Sequence, residues 1–282
     1  MKFECHGHII ADGVSYADAM RRHKNGVDEA YVRENLKTVV GSGIGFYRDG
    51  GDKYMVSAFA KQIAPEYGLD YRTPIYITHM KGYYGGMYGV AFETMAEFKE
   101  LVLRAKALSA DFIKITVTGM LDFNDRGAIM GPILPTSVLR EAVNIAKGEG
   151  FAVMAHCNGA ENMKNAMEAG VSSIEHGFWP DRSVIDWFLQ TKAVWVPTAV
   201  TAYNLIGDGR YDGVVMKNVH EAQKAVLTEA YQKGVLIASG SDCGAYRVLQ
   251  GSGTLDEYAL LAEMGIDPAR GNAAIAERFQ RS

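Results

Sequence analysis

A chain of 282 residues has room for two small domains or for one large single-core domain such as an α/β barrel. Its 48% hydrophobic and 22% charged content is ordinary for a soluble globular protein, and a net charge of -4 runs against a general nucleic-acid binder, which is normally basic. No apolar run is long enough to span a bilayer, and the N-terminus lacks the basic flank and apolar core of a signal peptide, so a soluble, cytoplasmic protein with neither nucleic acid nor membrane as partner is expected.

The first candidate strand, "KFECHGHI" (2–9), carries His6 and His8 two residues apart, so both imidazoles leave the same face. Two such nitrogens can chelate a divalent ion such as zinc, iron or manganese, although two hydrogen-bonded histidines give the same short pattern. The second strand, "IGFYRD" (44–49), holds Arg48, a candidate for orienting a substrate carboxylate or for an ordinary salt bridge with Asp49. The third, "PIYITHM" (74–80), ends at His79, a candidate hydrogen-bond donor to a substrate carbonyl. It runs into the glycine-rich loop "HMKGYYGGMYG" (79–89), where Tyr83, Tyr84 and Tyr88 are candidates to wall a small-molecule pocket.

The fourth strand, "DFIKITVTG" (111–119), puts Ile113, Ile115 and Val117 on one face and Phe112, Lys114, Thr116 and Thr118 on the other. Lys114 is then an ammonium inside the fold, costly unless it is paired, with Glu4 or Asp242 as candidate partners, or its pKa is lowered. A neutral lysine amine can react with carbon dioxide to give a carbamate, an anionic oxygen ligand able to bridge two metals. The stretch "LDFNDRGAIMGPIL" (121–134), with Arg126, is a candidate lid. Strands five, "FAVMAHC" (151–157), and six, "SSIEHG" (172–177), end at His156 and His176, nitrogen donors for a second ion or satisfied buried histidines. Strand seven is "AVWVPTAV" (193–200). Strand eight, "VLIASGSDCG" (235–244), ends at Asp242, which can bind a metal through one oxygen and take a proton from water through the other, or cap the next helix.

Between the strands lie amphipathic stretches such as "TMAEFKELVLRAKALSA" and "VHEAQKAVLTEAYQKG", with apolar residues three and four apart. Strand then helix, eight times over, is the pattern of a parallel sheet closed as a (β/α)8 TIM barrel, expected here as one α/β domain over 1–282. Reactive groups in such barrels gather at the C-terminal ends of the strands, which is where His6, His8, Lys114, His156, His176 and Asp242 fall. His23 and His220, in helical or loop segments, read as surface residues. Cys5, Cys157 and Cys243 form no CxxC pair and read as small buried hydrophobes.

"HGH", "KITVTG", "AHCNGAENMKNAMEAGVSSIEHG" and "ASGSDCG", in that order along nearly the whole chain, resemble the metal-dependent amidohydrolase superfamily, and within it the binuclear prolidase and imidazolonepropionase relatives. The resemblance implies that His6, His8 and Asp242 hold one divalent ion and His156 and His176 another, both expected to be zinc. Lys114, carboxylated by carbon dioxide, would bridge the two, and Asp242 would shuttle the proton. A hydroxide held between the cations would attack an amide-type C–N bond in a cyclic amide or small dipeptide-like substrate. The same centre also suits a lactonase or phosphotriesterase, and a barrel that binds a small molecule without turnover is a further alternative. Two departures qualify the resemblance. Relatives often carry a small β-sandwich that this chain is expected to lack, leaving barrel surface that favours homo-oligomers. Met87 stands where close relatives often have a histidine, so substrate specificity is not carried over.

Overall fold

The computed structural model describes residues 1–125 and 127–280. In chain order these form β1 (Lys2–Gly7), α1 (Tyr16–Arg22), α2 (Glu29–Gly41), β2 (Ile44–Asp49), α3 (Val56–Ile63), β3 (Asp70–Arg72), β4 (Ile77–Met80), β5 (Val90–Phe92), α4 (Met95–Ala107) and β6 (Ile113–Thr116). There follow α5 (Thr136–Gly148), β7 (Val153–Cys157), α6 (Ala160–Ala169), β8 (Ser173–His176), α7 (Ser183–Thr191), β9 (Val194–Val196), α8 (Ala199–Tyr203), α9 (Gly213–Gln232), α10 (Ser252–Glu263) and α11 (Ala269–Arg278).

The helices form where local chemistry and pattern agree. In α4, Phe98, Leu101, Val102 and Ala105 make the buried stripe, and the Thr94 side chain accepts a hydrogen bond from Glu97 N–H at the N-terminus. The α6 helix stops at Gly170, whose φ of +93° only glycine adopts cheaply.

Every strand pairing is parallel: β1 with β2, β2 with β3, and β4, β6, β7, β8 and β9 in succession, with β5 an extra edge on β4. The predicted third strand, 74–80, is regular only as β4, and a short strand, β3, precedes it. Pro74 lacks an N–H and Ile75 has φ +66°, so the chain kinks between β3, which pairs with β2, and β4, which pairs with β6. The predicted eighth strand, 235–244, is joined by single hydrogen bonds rather than a regular ladder. Trp195 N–H donates to Leu236 O and Ala238 N–H to Trp195 O on one side; Cys5 N–H donates to Ser239 O and Asp242 N–H to His6 O on the other. That segment links β9 to β1, and the eight staves of a TIM barrel are complete. The end of predicted strand seven is helical instead, because the Glu257 carboxylate on α10 accepts from Ala199 and Val200 N–H at the start of α8.

Alternation along the staves sorts the interior into layers. Ile113, Ile115 and Val117 pack outward into the main core beneath the helices. Phe112, with Phe46, Met154, Val194 and Cys5, forms a separate apolar floor inside the barrel, plugged by Phe279 just beyond α11. The Phe112 and Phe279 rings meet edge to face, with centroids 5.3 Å apart. One residue position higher on the same face come Lys114 and His156, so the floor carries the polar layer above it.

All three cysteines are fully buried and free. His23 and His220 are not surface residues: they are only 1% and 4% exposed. His23 Nδ1 accepts from Asp28 N–H, and His220 packs against Tyr203. Polar residues in helices and at their ends can be buried, which a pattern of apolar spacing does not reveal. Among the described residues no helix is long and apolar enough to cross a membrane.

Phe279→Ala opens a cavity in the floor and is expected to cost about 3–5 kcal/mol, as other buried Phe truncations do. A urea titration checks it, and a change within error would mean that the plug is dispensable.

Candidate metal centre

All six residues singled out at the strand ends line one cavity at the C-terminal rim: His6, His8, Lys114, His156, His176 and Asp242. Their arrival there has local causes. β1 carries one extra residue between Glu4 and Gly7 opposite Tyr47 and Asp49 of β2, a bulge that re-aims the strand. Below it Cys5 joins the barrel floor. Glu4 instead accepts from Ser241 and from Thr254 on α10, fixing the turn that carries Asp242. Above it His6 and His8 both turn into the cavity. Gly240 permits the close crossing, since a Cβ there would lie 2.4 Å from Val196 and 2.8 Å from His6 N.

One donor atom each from His6, His8 and Asp242 lies within 4.8 Å of the others, the spacing of a shared ion. His6 Nε2 and His8 Nε2 are each 3.6 Å from Asp242 Oδ1. The His156 and His176 rings are 4.6 Å apart, and His6 is 4.9 Å from His176. Lys114 is 2% exposed, and its Nζ lies 3.2 Å from His6 Nε2.

Electrostatics keep the donors free. Burial, then the Lys114 ammonium, lowers the imidazole pKa values: His8 and His156 to about 3, and His6 well below its ordinary value. His176 is lowered by burial and then by His156. All four rings are therefore neutral at pH 7 with a lone pair to offer. Burial also pushes the Lys114 amine down, opposed by Glu175 and Asp242, and pushes the Asp242 carboxyl up, opposed by Lys114.

The orientation of His6 comes from below. His6 Nδ1–H donates to Glu175 Oε2 at 2.7 Å, leaving Nε2 to face the cavity. Arg48 holds Glu175 in turn through two 2.9 Å contacts from Nη2, and donates to Cys5 O and Ser173 Oγ. His156 Nε2 lies 3.2 Å from Gly119 O, and His176 Nδ1 bonds Thr198 Oγ1 at 2.8 Å. Each leaves its second nitrogen for the cavity.

Glu175, Thr198 and Asn158 were not singled out from sequence. Glu175 was legible: in "SSIEHG" it shares the inward face with Ser173, and a carboxylate inside a barrel needs cationic partners. Asn158, which bonds Gly119 O and Phe178 N–H to tie two rim loops together, left no pattern to read.

Three of the candidate substrate-binding residues do not line the cavity. Arg48 has no exposure, and its guanidinium is taken up by the groups just named. Nor does it pair with Asp49, whose oxygens accept from Ile9 and Gly51 N–H. His79 packs beneath the glycine loop, where a Cβ on Gly85 would lie 2.8 Å from its own, and it does not line the cavity. Tyr83 is not among the lining residues, whereas Tyr84, Met87 and Tyr88 of the same loop are. Arg126 lies outside the described residues; Leu121 and Phe123 of the same stretch line the cavity.

The model of the amidohydrolase family matches residues 21–274. The chain belongs to the amidohydrolase family. The matched span begins after β1, so His6 and His8 join the site on geometry alone. Family members share the barrel seen here. A Xaa-Pro dipeptidase crystallised with methionine in its active site is 25% identical with a TM-score of 0.76, over 98% of this chain and 72% of that one. A putative prolidase from Bifidobacterium longum is 20% identical with a TM-score of 0.75, over 99% and 69%. The Aspergillus niger ochratoxinase is 17% identical, also with a TM-score of 0.75, over 97% and 68%. An uncharacterized protein of Mycobacterium tuberculosis is 26% identical over 143 residues, 49% of this chain and 38% of that protein, so the match spans well under half of the curated relative.

Glu175→Gln keeps the shape but removes the charge that orients His6, and should weaken divalent-metal affinity about 10–100-fold. Chelator competition measures this; unchanged affinity would end the orienting role. Arg48→Met strands the Glu175 carboxylate and should cost about 3–5 kcal/mol of stability in urea.

Proposed function

We propose that this family member is a metal-dependent hydrolase of amide-type C–N bonds in a small molecule, with two divalent ions held over Lys114. The observation that carries the reading is the meeting of His6, His8 and Asp242 donors within 4.8 Å at the base of a cavity that His156, His176 and Lys114 also line. The donor set fits such ions: neutral imidazoles and a carboxylate suit zinc better than magnesium or calcium. His8 Nδ1 is buried without a hydrogen-bond partner among the described residues, and the imidazole packs near Tyr88. His6, His8 and Asp242 would hold the first ion and His156 and His176 the second, with carboxylated Lys114 between them. When bound, the ions supply Lewis acidity and make water acidic enough to attack near neutral pH.

The chain's own residues account for the rest. The Lys114 amine sits beside an imidazole rather than against a carboxylate, with Glu4 already consumed by Ser241 and Thr254. Burial lowers its pKa, raising the share of neutral amine that carbon dioxide can trap. Asp242 stands among the donors with its carboxyl pKa raised, suited to taking a proton from the attacking water and passing it to the departing nitrogen. In balance, the water oxygen bonds the acyl carbon, the C–N electron pair goes to nitrogen, and nitrogen takes up the proton that Asp242 carried.

Elemental analysis should find two ions per wild-type chain and fewer in Lys114→Met, and labelled bicarbonate should give a carbamate carbon signal absent from that variant. Asp242→Asn should lower kcat about 10²–10⁴-fold. In the metal-free protein Lys114 takes its proton before the four imidazoles, whose pKa values lie lower, so reloading with bicarbonate and metal should lose the carbamate at a higher pH than it loses imidazole ligation. Activity on amides that survives both chelation and Asp242→Asn would refute the mechanism. Turnover of lactones or phosphotriesters with no amide cleaved would move the chain to the ester-cleaving reading.

A further inference from the structure

Beyond the donors themselves, His176 and Thr198 share an unusual backbone. His176, which ends β8, has φ +68°, and Thr198, just before α8, has φ +46° and ψ +41°. For a β-branched residue the left-handed region is an outlier that the surroundings must enforce, and such strain clusters at functional sites. Thr198 has no exposure, and its Oγ1 lies 2.8 Å from His176 Nδ1. With the hydroxyl accepting from Nδ1–H, the lone pair of His176 stays on Nε2, the nitrogen left for a metal.

Thr198 is gripped on both sides by side chains from two later helices. Gln223 on α9 donates from Nε2 to His176 O at 2.7 Å and to Pro197 O at 2.9 Å, so both amide hydrogens are used and the ends of β8 and β9 are tied together. The reverse amide orientation would set an oxygen against two carbonyls, so these bonds fix which way the amide points. Gln223 Oε1 is buried with no hydrogen-bond partner among the described residues. An unpaired buried acceptor lowers stability, which argues that the residue serves position rather than the fold as a whole. On the other side of Thr198, the Glu257 carboxylate on α10 accepts from Ala199 N–H at 3.1 Å and from Val200 N–H at 2.8 Å. Neither Gln223 nor Glu257 has any exposure.

We infer that Gln223 and Glu257 are positioning residues: they clamp Thr198 in its left-handed conformation, so that its hydroxyl fixes the His176 ring for the second ion. The inference rests on the two-ion reading of the site and adds what makes the second position fit to bind. The two halves of the site are oriented by different means. His6 is held by Glu175 and Arg48 on β8 and β2, whereas His176 is held through Thr198 by α9 and α10. The clamp therefore acts on one ion and spares the other.

The test is zinc titration of the metal-free full chain, with bicarbonate present and a chromophoric chelator competing. Thr198→Val, which removes only the hydroxyl, and Gln223→Met should each weaken one of the two zinc ions about 10–100-fold and leave the other within about twofold. Glu257→Gln, which keeps one acceptor oxygen, should fall between these and wild type. Thr198→Ser, which keeps the hydroxyl, should restore the weakened ion. Variants of Thr198 or Gln223 that bind both ions as wild type does, or that weaken both alike, would overturn the inference. So would a Thr198→Ser protein as impaired as Thr198→Val, which would assign the effect to packing. If neither Gln223→Met nor Glu257→Gln folds, the two residues hold the barrel rather than the ring, and the inference falls. Wild type that takes up a single ion refutes the two-ion reading instead. NMR of nitrogen-labelled histidine in the metal-free protein then decides the clamp alone. A His176 proton held on Nδ1 in wild type and shared between the two nitrogens in Gln223→Met upholds it, and any other outcome overturns it.

Discussion

Arg48 and Glu175 form an ion pair with no exposure on either side, and such a pair is tolerable only when each donor and acceptor is used. Here they are. Glu175 Oε1 takes Arg48 and Ser173, Oε2 takes Arg48 and His6, and the remaining guanidinium donors reach Cys5 O and Ser173 Oγ. The cluster crosses the barrel interior and ties β1, β2 and β8 together. Well-packed apolar residues could stabilise the barrel comparably. What they could not do is hold His6 with Nδ1 occupied and Nε2 presented, so the ion pair is best understood as a device for position.

Its placement also explains the layering. The Phe279 ring lies 4.3 Å from the Arg48 guanidinium, so the charge rests on an aromatic face that excludes water. Above it comes a layer of donors, and above that the aromatic cavity. Each layer prepares the next: a dry floor makes the buried ion pair strong, the ion pair fixes His6, and surrounding burial keeps the imidazoles neutral.

The architecture and the six strand-end residues were legible because both depend on short-range rules. Eight strand–helix alternations imply a barrel, and strand ends imply the rim. Lys114 could be assigned to the interior from two-residue alternation, and the floor beneath it, Phe112, follows from the same count. The rest was lost where a side chain's role depends on residues far away in sequence. Arg48 looked available because its partner lies 127 positions on. His79 looked like a rim residue because nothing in its own strand shows that three glycines pack on it. His23 and His220 looked exposed because helical spacing marks apolar burial and is blind to polar burial. The break between β3 and β4 lies at Pro74, whose missing N–H ends a ladder, so the expected strand beginning there started too late.

Alternation alone should send Glu175 and His176 to opposite faces, yet both serve the interior. The difference lies in the backbone at the strand ends. His176 has φ +68° and Asp242 φ +58°, left-handed conformations that cost a residue with a Cβ about 1–2 kcal/mol each. Both are held by neighbours that use the same backbone groups: Trp195 Nε1 and Gln223 Nε2 donate to His176 O, and Asp242 N–H donates to His6 O at 2.6 Å. Gly177 completes the turn at φ +63°, where a Cβ would lie 2.6 Å from Trp195 Nε1. A straight strand end would relieve the strain and withdraw both donors from the rim. Local stability is thus lower at the two positions where the chain bends to present a nitrogen and a carboxylate, and the buried Trp195 and Gln223 contacts offset that cost.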